Sequence, residues 1–207
     1  MCGRVYMAPA DPELRELIKE MNRSALAEQF RNRHKKQTDE NNMLTAEGEI
    51  FPSAVLPVIA TNKNLEPRVF PMKWGFTQNK KLIINARTET AAEKPTFREA
   101  WQSHRCIIPA SCYFEWEHDE NKKPTRKYIL RPNNTTLIRL AGLYRLEDGL
   151  PVFVVLTRPA EQNLLWMHDR MPVMLPEEEA ALWINPREDP EPLVKKCLID
   201  VAWQQAG

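Results

Sequence analysis

The chain begins Met1-Cys2-Gly3-Arg4, and removal of the initiator methionine would leave Cys2 with two nucleophiles on adjacent carbons. Its α-amine would titrate at about 7.7–8.0 and its thiol at about 8.5, so modest local shifts make either group reactive near neutral pH. Such a 1,2-aminothiol can attack an aldehyde through nitrogen, giving a Schiff base, and then close through sulfur to a thiazolidine ring. It can also act as an N-terminal nucleophile that uses its own amine as base. A small second residue is common, however, so Cys2 taken alone indicates no chemical role, and the rest of the chain must supply the evidence for one.

A second group of reactive types follows the apolar stretch 82–84, which ends abruptly in Asn85-Ala86-Arg87. The amide of Asn85 can both donate and accept a hydrogen bond at a reacting centre. The guanidinium of Arg87 can bind a phosphate through two parallel N–H groups. Alternatively, Asn85 completes a turn and Arg87 forms an ion pair with Glu89.

A pair of carboxylates lies in the predicted strand 112–117. Period-two alternation places Glu115 and Glu117 on one face of this strand and Phe114 and Trp116 on the other. A carboxylate flanked by two aromatic residues is a candidate for a raised pKa and therefore for general acid catalysis. If that face is open to solvent, Glu115 is instead a surface residue without a catalytic role.

His168 is the histidine best placed for proton transfer, because it follows a short predicted helix over 161–167 and precedes Asp169 and Arg170. An imidazole in such a position titrates near pH 6.5 and can shuttle protons, although lone histidines are often structural. Trp74 precedes Gly75 at a predicted strand end, which suits either stacking on a nucleobase or a place in the core.

Composition limits the partners that the chain can attract. The 207 residues are 43% apolar and 28% charged, with a formal net charge of +1, so any anionic partner must be held by a local patch. Lys35 and Lys36 can contact phosphate or simply belong to a solvated face. The four cysteines show no C-x-x-C pair and no metal-type spacing with the four histidines, so we expect neither a metal nor a cofactor. Without an apolar run of ~20 residues or a signal peptide, we expect a cytoplasmic protein with no membrane contact.

Strands dominate the elements that must position these residues. The opening strand 3–7 would hold Cys2 firmly, and a polar loop is predicted over 31–49. The remaining predicted strands cover 55–59, 69–74, 82–87, 105–108, 112–117, 127–130, 137–146 and 152–157. No linker-like segment interrupts the chain, which indicates a single domain over 1–207.

Helices are predicted to be short and to flank the strands. Asp11 and Pro12 form a helix start before apolar residues at helical spacing over 14–26. Thr96 and Glu99 have capping-box spacing and predict a short helix through residue 101. Two further helices are predicted, one over 176–184, with residues 182–184 packing inward, and one at the start of 190–203, followed by a tail.

Five segments, taken together, resemble one known family. They are Met1-Cys2-Gly3-Arg4, Trp74-Gly75-Phe76, Ile84-Asn85-Ala86-Arg87-x-Glu89-Thr90, Arg105-Cys106-Ile107-Ile108-Pro109-Ala110 with Tyr113-x-Glu115-Trp116, and Met167-His168-Asp169-Arg170-Met171-Pro172. On these segments the chain is identified as a member of the SOS-response-associated peptidase (SRAP) family, whose members shield abasic sites in single-stranded DNA. The match runs from residue 2 to about residue 185, with a C-terminal helix and tail over 186–207. One departure is Glu49-Ile50-Phe51-Pro52, where many members have Asn-x-x-Pro, so the resemblance does not carry a DNA contact over to this loop.

The resemblance implies an α+β fold, a β-rich pseudo-barrel of mostly antiparallel strands flanked by short helices in one domain. It implies that Cys2, freed of Met1 by self-cleavage or by an aminopeptidase, forms a thiazolidine with the C1′ aldehyde of a ring-opened abasic sugar. Asn85 would orient the amine, Glu115 would assist ring opening and proton transfer, and His168 would transfer protons at the Schiff base. The same resemblance assigns the flanking phosphates to three arginines and a stacking surface to a tryptophan, namely Arg4, Arg87, Arg170 and Trp74.

The resemblance also implies autopeptidase and abasic-site lyase activity, the latter by β-elimination from the same Schiff base. We therefore expect a monomer that binds single-stranded DNA containing abasic sites and associates with the nucleoid when bound. Two other hypotheses stay open on the sequence. One is a general cysteine peptidase that uses Cys2 and His168, and the other is a non-catalytic module that binds single-stranded DNA.

Overall fold

The computed structural model describes residues 2–34, 44, 46–121, 123–133 and 135–206, which form an α+β fold. The strands are β1 (Val5–Met7), β2 (Gly48–Ile50), β3 (Val55–Thr61), β4 (Pro67–Trp74), β5 (Phe76–Gln78), β6 (Lys81–Ile83), β7 (Asn85–Arg87), β8 (Arg105–Ala110), β9 (Cys112–His118), β10 (Pro124–Pro132), β11 (Ile138–Glu147), β12 (Leu150–Pro159), β13 (Arg170–Pro172) and β14 (Val201–Gln205). The helices are α1 (Pro12–Arg23), α2 (Ala25–His34), α3 (Thr88–Ala91), α4 (Arg98–Ser103), α5 (Glu177–Trp183) and α6 (Pro190–Lys195), with a 3-10 helix at Gln162–Leu164.

Five strands close into a barrel in the order β11, β8, β3, β4 and β12, because β12 pairs again with β11. Among the described strands of the barrel, the β12–β4 contact is parallel and the others are antiparallel. Every residue of β8 is buried, as is the run 150–157 of β12. Such continuous burial explains the apolar sequence of these strands. The predicted pseudo-barrel of mostly antiparallel strands is confirmed.

A second sheet, in the order β14, β10, β9, β1 and β2, positions the start of the chain. Val5 of β1 lies opposite Tyr113 of β9. The backbone N–H of Phe114 donates to the carbonyl of Arg4 at 3.0 Å, which extends this antiparallel pairing towards Cys2. The first residues are therefore fixed against β9, as the predicted opening strand required.

The helical stretch predicted over 14–26 is divided into two helices, α1 and α2, at Ser24. Asp11 caps α1 by accepting a hydrogen bond from the backbone of Leu14 at 3.1 Å, as its position before Pro12 indicated. The helix then ends at Ser24, whose hydroxyl accepts from the backbone of Ala27 at 3.1 Å and so starts α2. The loop predicted from residue 31 is thus helical to residue 34. Lys35 and Lys36 lie outside the described residues.

The end of the chain contains a strand where the sequence predicted a tail. Residues 201–205 form β14, which pairs with β10 along its whole length. Further upstream, Thr96 does not cap α4, and its hydroxyl oxygen accepts a hydrogen bond from the side-chain amide of Gln78 at 3.1 Å instead. Leu182 was predicted to pack inward and is 40% exposed, whereas its neighbour Trp183 is fully buried.

Arg105 anchors two helices to the barrel from inside the protein, with 1% of its surface exposed. Its guanidinium donates to the backbone carbonyls of Trp101, Gln102, Trp183, Asn185 and Glu188. These carbonyls lie at or just beyond the C-terminal ends of α4 and α5, where a cation interacts favourably with the helix dipole. Within the described ranges, no helix is both long and apolar enough to cross a membrane.

Candidate active site at the start of the chain

Cys2 is fully buried, and Asn85 holds its backbone. The side-chain amide of Asn85 donates to the carbonyl oxygen of Cys2 at 3.0 Å, and Asn85 itself is fixed opposite Val155 by the parallel pairing of β7 with β12. Burial raises the pKa of the Cys2 thiol to about 12, and the nearby carboxylate of Glu115 adds to the rise. The thiol is therefore protonated at neutral pH and needs a proton acceptor to become a nucleophile.

Glu115 points into the protein from β9 and is 4% exposed. The alternation predicted for this strand holds, because Phe114 and Trp116 face the other side and contact Lys127. The alternative of a solvent-exposed Glu115 is therefore wrong. The Glu115 carboxylate raises the pKa of Cys2 and also favours the charged form of His168, so it interacts electrostatically with both residues.

His168 follows the 3-10 helix and lines a small pocket together with Tyr113, Glu115 and Arg170. Burial lowers its pKa below the ordinary 6.5, although Glu115 opposes this change. Its Nδ1 accepts a hydrogen bond from the backbone N–H of Arg170 at 2.9 Å, so the neutral ring carries its proton on Nε2. Oδ1 of Asp169 also lies 2.8 Å from Nδ1. It can form an ion pair with His168 only when the imidazole ring is protonated. At neutral pH the imidazole can donate through Nε2.

Three buried polar atoms in this region make no hydrogen bond to any part of the chain that the structure describes: Oδ1 of Asn85, the hydroxyl of Tyr113 and Nε of Arg170. Leaving such groups unpaired is costly in a folded protein, and they commonly mark functional sites. Burial, followed by the proximity of Cys2 and Glu115, raises the pKa of Tyr113 well above 10. Sequence reasoning missed Tyr113 as a site residue, although it lies two positions before Glu115 and so shares its face.

Arg170 is bound to other parts of the protein, and its predicted contact with a phosphate stays a prediction. It is 8% exposed, and both of its terminal nitrogens bond to the carboxylate of Glu89. One of them also donates to the carbonyl of Thr157 at 2.6 Å. The hydrogen bond from Arg170 lowers the pKa of Glu89 to about 2. Arg170 therefore joins β13 to α3 and fixes the segment that carries His168.

Arg87 was expected either to pair with Glu89 or to bind phosphate. The partner of Glu89 is Arg170, so the ion-pair alternative is wrong. Arg87 is exposed and makes no hydrogen bond or ion pair with the described residues. Its guanidinium is available to a ligand.

Trp74 is a core residue, and its predicted role as a stacking surface for DNA is wrong. It is 1% exposed, its ring is stacked on Phe153 with centroids 6.0 Å apart, and its indole N–H donates to the carbonyl of Ile84 at 3.0 Å. Because Ile84 precedes Asn85, Trp74 supports the amide that holds Cys2.

Arg4 lies on the outer face of the second sheet, with its side chain 35% exposed. Its guanidinium bonds to Glu49 at 2.7 Å and packs on the rings of Phe51 and Trp116, 4.2 and 4.8 Å from their centroids. Glu49 also accepts from Lys127 at 2.5 Å. We call Arg4, Glu49 and Lys127 the outer charge cluster. Sequence reasoning found Arg4 but gave no signal for its two partners.

An aromatic cluster of Tyr128, Trp166 and Trp203 supports the segment before His168. The three rings meet edge to face, with centroids 5.1 to 5.5 Å apart. Trp203 belongs to β14, so the strand that the sequence analysis missed packs against the approach to the site. Across the described part of the chain, no three His, Cys, Asp or Glu side chains are grouped so that they could hold a metal ion.

Comparisons with known proteins agree with this geometry. The model of the family described as SOS response associated peptidase (SRAP) matches residues 1–205. The abasic site processing protein YoqW of Bacillus subtilis (strain 168) is 36% identical over 167 residues, which cover 70% of this chain and 72% of that protein. The abasic site processing protein YedK of Escherichia coli (strain K12) is 35% identical over 121 residues, covering 56% of this chain and 54% of YedK.

A solved structure has the same fold. A phage-related protein from Bordetella bronchiseptica superimposes with a TM-score of 0.72 at 21% identity, covering 99% of this chain and 94% of that one. The buried Cys2, the amide of Asn85 and the pocket of Glu115 and His168 come from the segments on which the resemblance rests. The chain belongs to the SRAP family.

Proposed function

We propose that this protein processes abasic sites in single-stranded DNA by forming a covalent thiazolidine through Cys2. The observation that carries the proposal is the hydrogen bond from Asn85 to the carbonyl of Cys2, which fixes the start of the chain close to Glu115 and His168. The names of relatives such as YoqW and YedK support abasic sites as the substrate.

The reaction requires that Met1 be removed, so that Cys2 carries a free amine. This amine attacks the C1′ carbonyl of the ring-opened sugar, and loss of one water gives a Schiff base. The thiol of Cys2 then adds to the same carbon while its proton moves to the nitrogen. One C–N and one C–S bond form, the C=O bond breaks, and the net product is the adduct plus one water.

The residues around Cys2 supply the proton transfers that this sequence needs. A thiol with a pKa of about 12 must give up its proton, and the neighbouring Glu115 carboxylate is the acceptor. The Nε2–H of His168 donates to the hydroxyl that leaves as water. Oδ1 of Asn85 and the hydroxyl of Tyr113, which have no partner among the described residues, are available to bind the amine and the sugar oxygen.

Single-stranded DNA is the expected substrate, because an aldehyde inside a stacked duplex is out of reach without extrusion of the nucleotide. Arg4 and Arg87 are the proposed contacts to the flanking phosphates, since both are accessible and neither is buried in the core. Abasic-site lyase activity would use the same Schiff base, with β-elimination breaking the strand on the 3′ side. Removal of Met1 by Cys2 itself is the proposed autopeptidase step.

A general peptidase is less well supported than an aldehyde trap. The thiol of Cys2 is fully buried and its pKa is raised, which is the opposite of an activated nucleophile that must reach a polypeptide. A sugar aldehyde is small, and the amine carries out the first attack on it.

Denaturing electrophoresis tests the proposal with two oligonucleotides of the same sequence. One carries a true abasic site, and the other carries its tetrahydrofuran analogue, which has no aldehyde. We expect protein lacking Met1 to form a stable adduct with the first and none with the second. Equal adduct formation with both, or adduct formation by Cys2→Ala, would contradict the thiazolidine mechanism.

A further inference from the structure

The outer charge cluster combines two cations with a single carboxylate. Oε1 of Glu49 accepts from Arg4 at 2.7 Å, and Oε2 accepts from Lys127 at 2.5 Å. The side chains are 35%, 26% and 28% exposed for Arg4, Glu49 and Lys127, so the cluster is open to ligands on one side. It contains one negative and two positive charges and has a net charge of +1.

Aromatic rings hold both cations independently of the carboxylate. The Arg4 guanidinium lies 4.2 Å from the ring centroid of Phe51, and the Lys127 ammonium lies 4.0 Å from that of Phe114. Trp116 lies between them, 4.8 Å from Arg4 and 5.7 Å from Lys127. Cation–π contacts leave the N–H groups of both cations free for an anion. The cations therefore keep their positions if Glu49 moves away.

Glu49 presents its two oxygens to the two cations as the two anionic oxygens of a phosphodiester would. Burial opposes ionisation of Glu49, but the hydrogen bonds from Lys127 and Arg4 outweigh it and lower the pKa of the carboxyl below its ordinary value. The carboxylate is thus ionised at neutral pH and competes with any anion for the same donors.

We propose that Arg4 and Lys127 form a binding position for a DNA phosphodiester, and that Glu49 occupies this position in the free protein and limits affinity for DNA. This inference rests on the proposed function and adds Lys127 and Glu49 to it. It also assigns a role to the Glu49-Ile50-Phe51-Pro52 segment, at which the chain departs from the pattern of many family members. The competing carboxylate would disfavour binding to DNA that offers no abasic site to trap.

The position lies close to the candidate active site. Arg4 is two residues from Cys2, and Lys127 lies opposite Trp116 on the strand next to the one that carries Glu115. A phosphate held there would lie on the outer face of the sheet in which β9 carries Glu115 on its inner face.

Equilibrium binding to an oligonucleotide without an abasic site tests the inference, because this ligand cannot react with Cys2. The assay is fluorescence anisotropy at several salt concentrations, with a methylphosphonate oligonucleotide of the same sequence as the uncharged control. The variants are Glu49→Gln, Lys127→Gln and the double variant. Glu66→Gln is the matched control, because Glu66 also forms a 2.7 Å ion pair with an arginine, Arg68, but does not belong to the outer charge cluster.

We expect Glu49→Gln to bind the phosphodiester oligonucleotide about three- to tenfold more tightly, since one negative charge next to the phosphate is removed. Lys127→Gln should bind about three- to tenfold more weakly, with a salt slope reduced by about 0.7. Glu66→Gln and all binding to the methylphosphonate oligonucleotide should change less than about twofold. Thermal unfolding of each variant would show that the fold is kept.

Unchanged or weaker binding by Glu49→Gln would overturn the inference, because Glu49 would then only brace Arg4. Wild-type binding by Lys127→Gln would overturn it as well. If no variant binds the phosphodiester oligonucleotide, the inference fails, while adduct formation on abasic DNA, measured separately, still decides the proposed function.

Discussion

The two faces of the second sheet differ in what they do with charge. On the inner face, Glu115 and Tyr113 are almost fully buried beside Cys2, and each change of protonation there is costly. On the outer face, Arg4 and Lys127 stay partly exposed and form ion pairs with Glu49. The sheet thus places buried groups proposed for proton transfer on one side and exposed cations proposed to bind anions on the other.

Within β9 this separation follows from the period-two alternation of β-strands, which sends Glu115 and Trp116 to opposite faces. Cys2 and Arg4 precede β1, so their placement is set by the chain before the strand. The separation of the two faces has a consequence for mutagenesis. Substitutions on the inner face should change the rate of adduct formation and leave binding to undamaged DNA unaltered. Substitutions on the outer face should change binding to undamaged DNA and leave the rate of adduct formation by bound protein unaltered.

The largest effect is expected for Glu115→Gln. Removing the acceptor for the thiol proton should lower the single-turnover rate of adduct formation by about 10²- to 10³-fold. The affinity for undamaged single-stranded DNA should stay within about twofold of wild type. Glu117→Gln is the matched control, because Glu117 shares this face but lies at its exposed rim, where it accepts from Tyr128. A comparable loss of rate in Glu117→Gln would remove the distinction between the buried and exposed carboxylates.

His168→Gln should slow adduct formation by about 10- to 10²-fold. Burial lowers the pKa of His168, so the ring is neutral at pH 7 and becomes charged only as the pH falls through that lowered pKa. Protonation of Nδ1 removes the acceptor of the Arg170 N–H and so releases the ring from its position. Wild-type rates should therefore fall on the acidic side of the profile, and His168→Gln should lack this acidic limb. Single-turnover rates between about pH 5 and 8 measure it. If the rate of His168→Gln still falls at acidic pH, a group other than His168 is responsible for the fall.

Glu89→Gln tests the ion pair of Glu89 with Arg170, which is expected to stabilise the fold. The Glu89 carboxyl is 44% exposed, so after allowance for solvent screening its bond to Arg170 should contribute about 1 kcal/mol. Since the pKa of Glu89 is depressed from 4.5 to about 2, this stability is present above pH 4.5 and is lost as the pH falls through about 2. Thermal unfolding should show the variant destabilised at pH 7 and equal to wild type near pH 2. A difference that does not depend on pH would mean that packing, not charge, joins β13 to α3.

The smallest effect is expected for Arg87→Gln. Its exposed guanidinium is unengaged within the described structure, so losing one phosphate contact should weaken binding about threefold and reduce the salt slope by about 0.7. Arg68→Gln is the control with the same loss of charge, because Arg68 already pairs with Glu66. Equal losses of DNA affinity in the two variants would mean that the net charge of the protein, and not a specific contact of Arg87 with a phosphate, determines binding.

The sequence could single out Cys2, Asn85, Glu115 and His168 because each lies in a short, characteristic segment, although Glu115 is in the middle of β9 and its burial follows from strand alternation. The barrel strands were predictable because residues 106–110 of β8 and 150–156 of β12 form continuous apolar runs. The cap formed by Asp11 before Pro12 also gave a correct helix start.

The errors arose where tertiary contacts decide the role of a side chain. Trp74 belongs to a recognisable segment, yet its ring stacks on Phe153, which is distant in sequence. The bond from Arg170 to Glu89 also joins residues far apart in the chain and was not predicted. The tail contains β14 because β10 offers it a pairing edge, although its own residues 202–205 are exposed. Likewise, only the fold brings Glu49 and Lys127 to Arg4.

The most direct test of the aldehyde trap is intact-protein mass spectrometry before and after incubation with single-stranded DNA that contains one abasic site. Protein that starts at Cys2 should gain the mass of the oligonucleotide minus one water and keep it under denaturing conditions. Cys2→Ala retains an N-terminal amine but has no thiol to close the ring, so it should return to its original mass. No gain by protein lacking Met1, or an equally stable gain by Cys2→Ala, would contradict thiazolidine formation at Cys2.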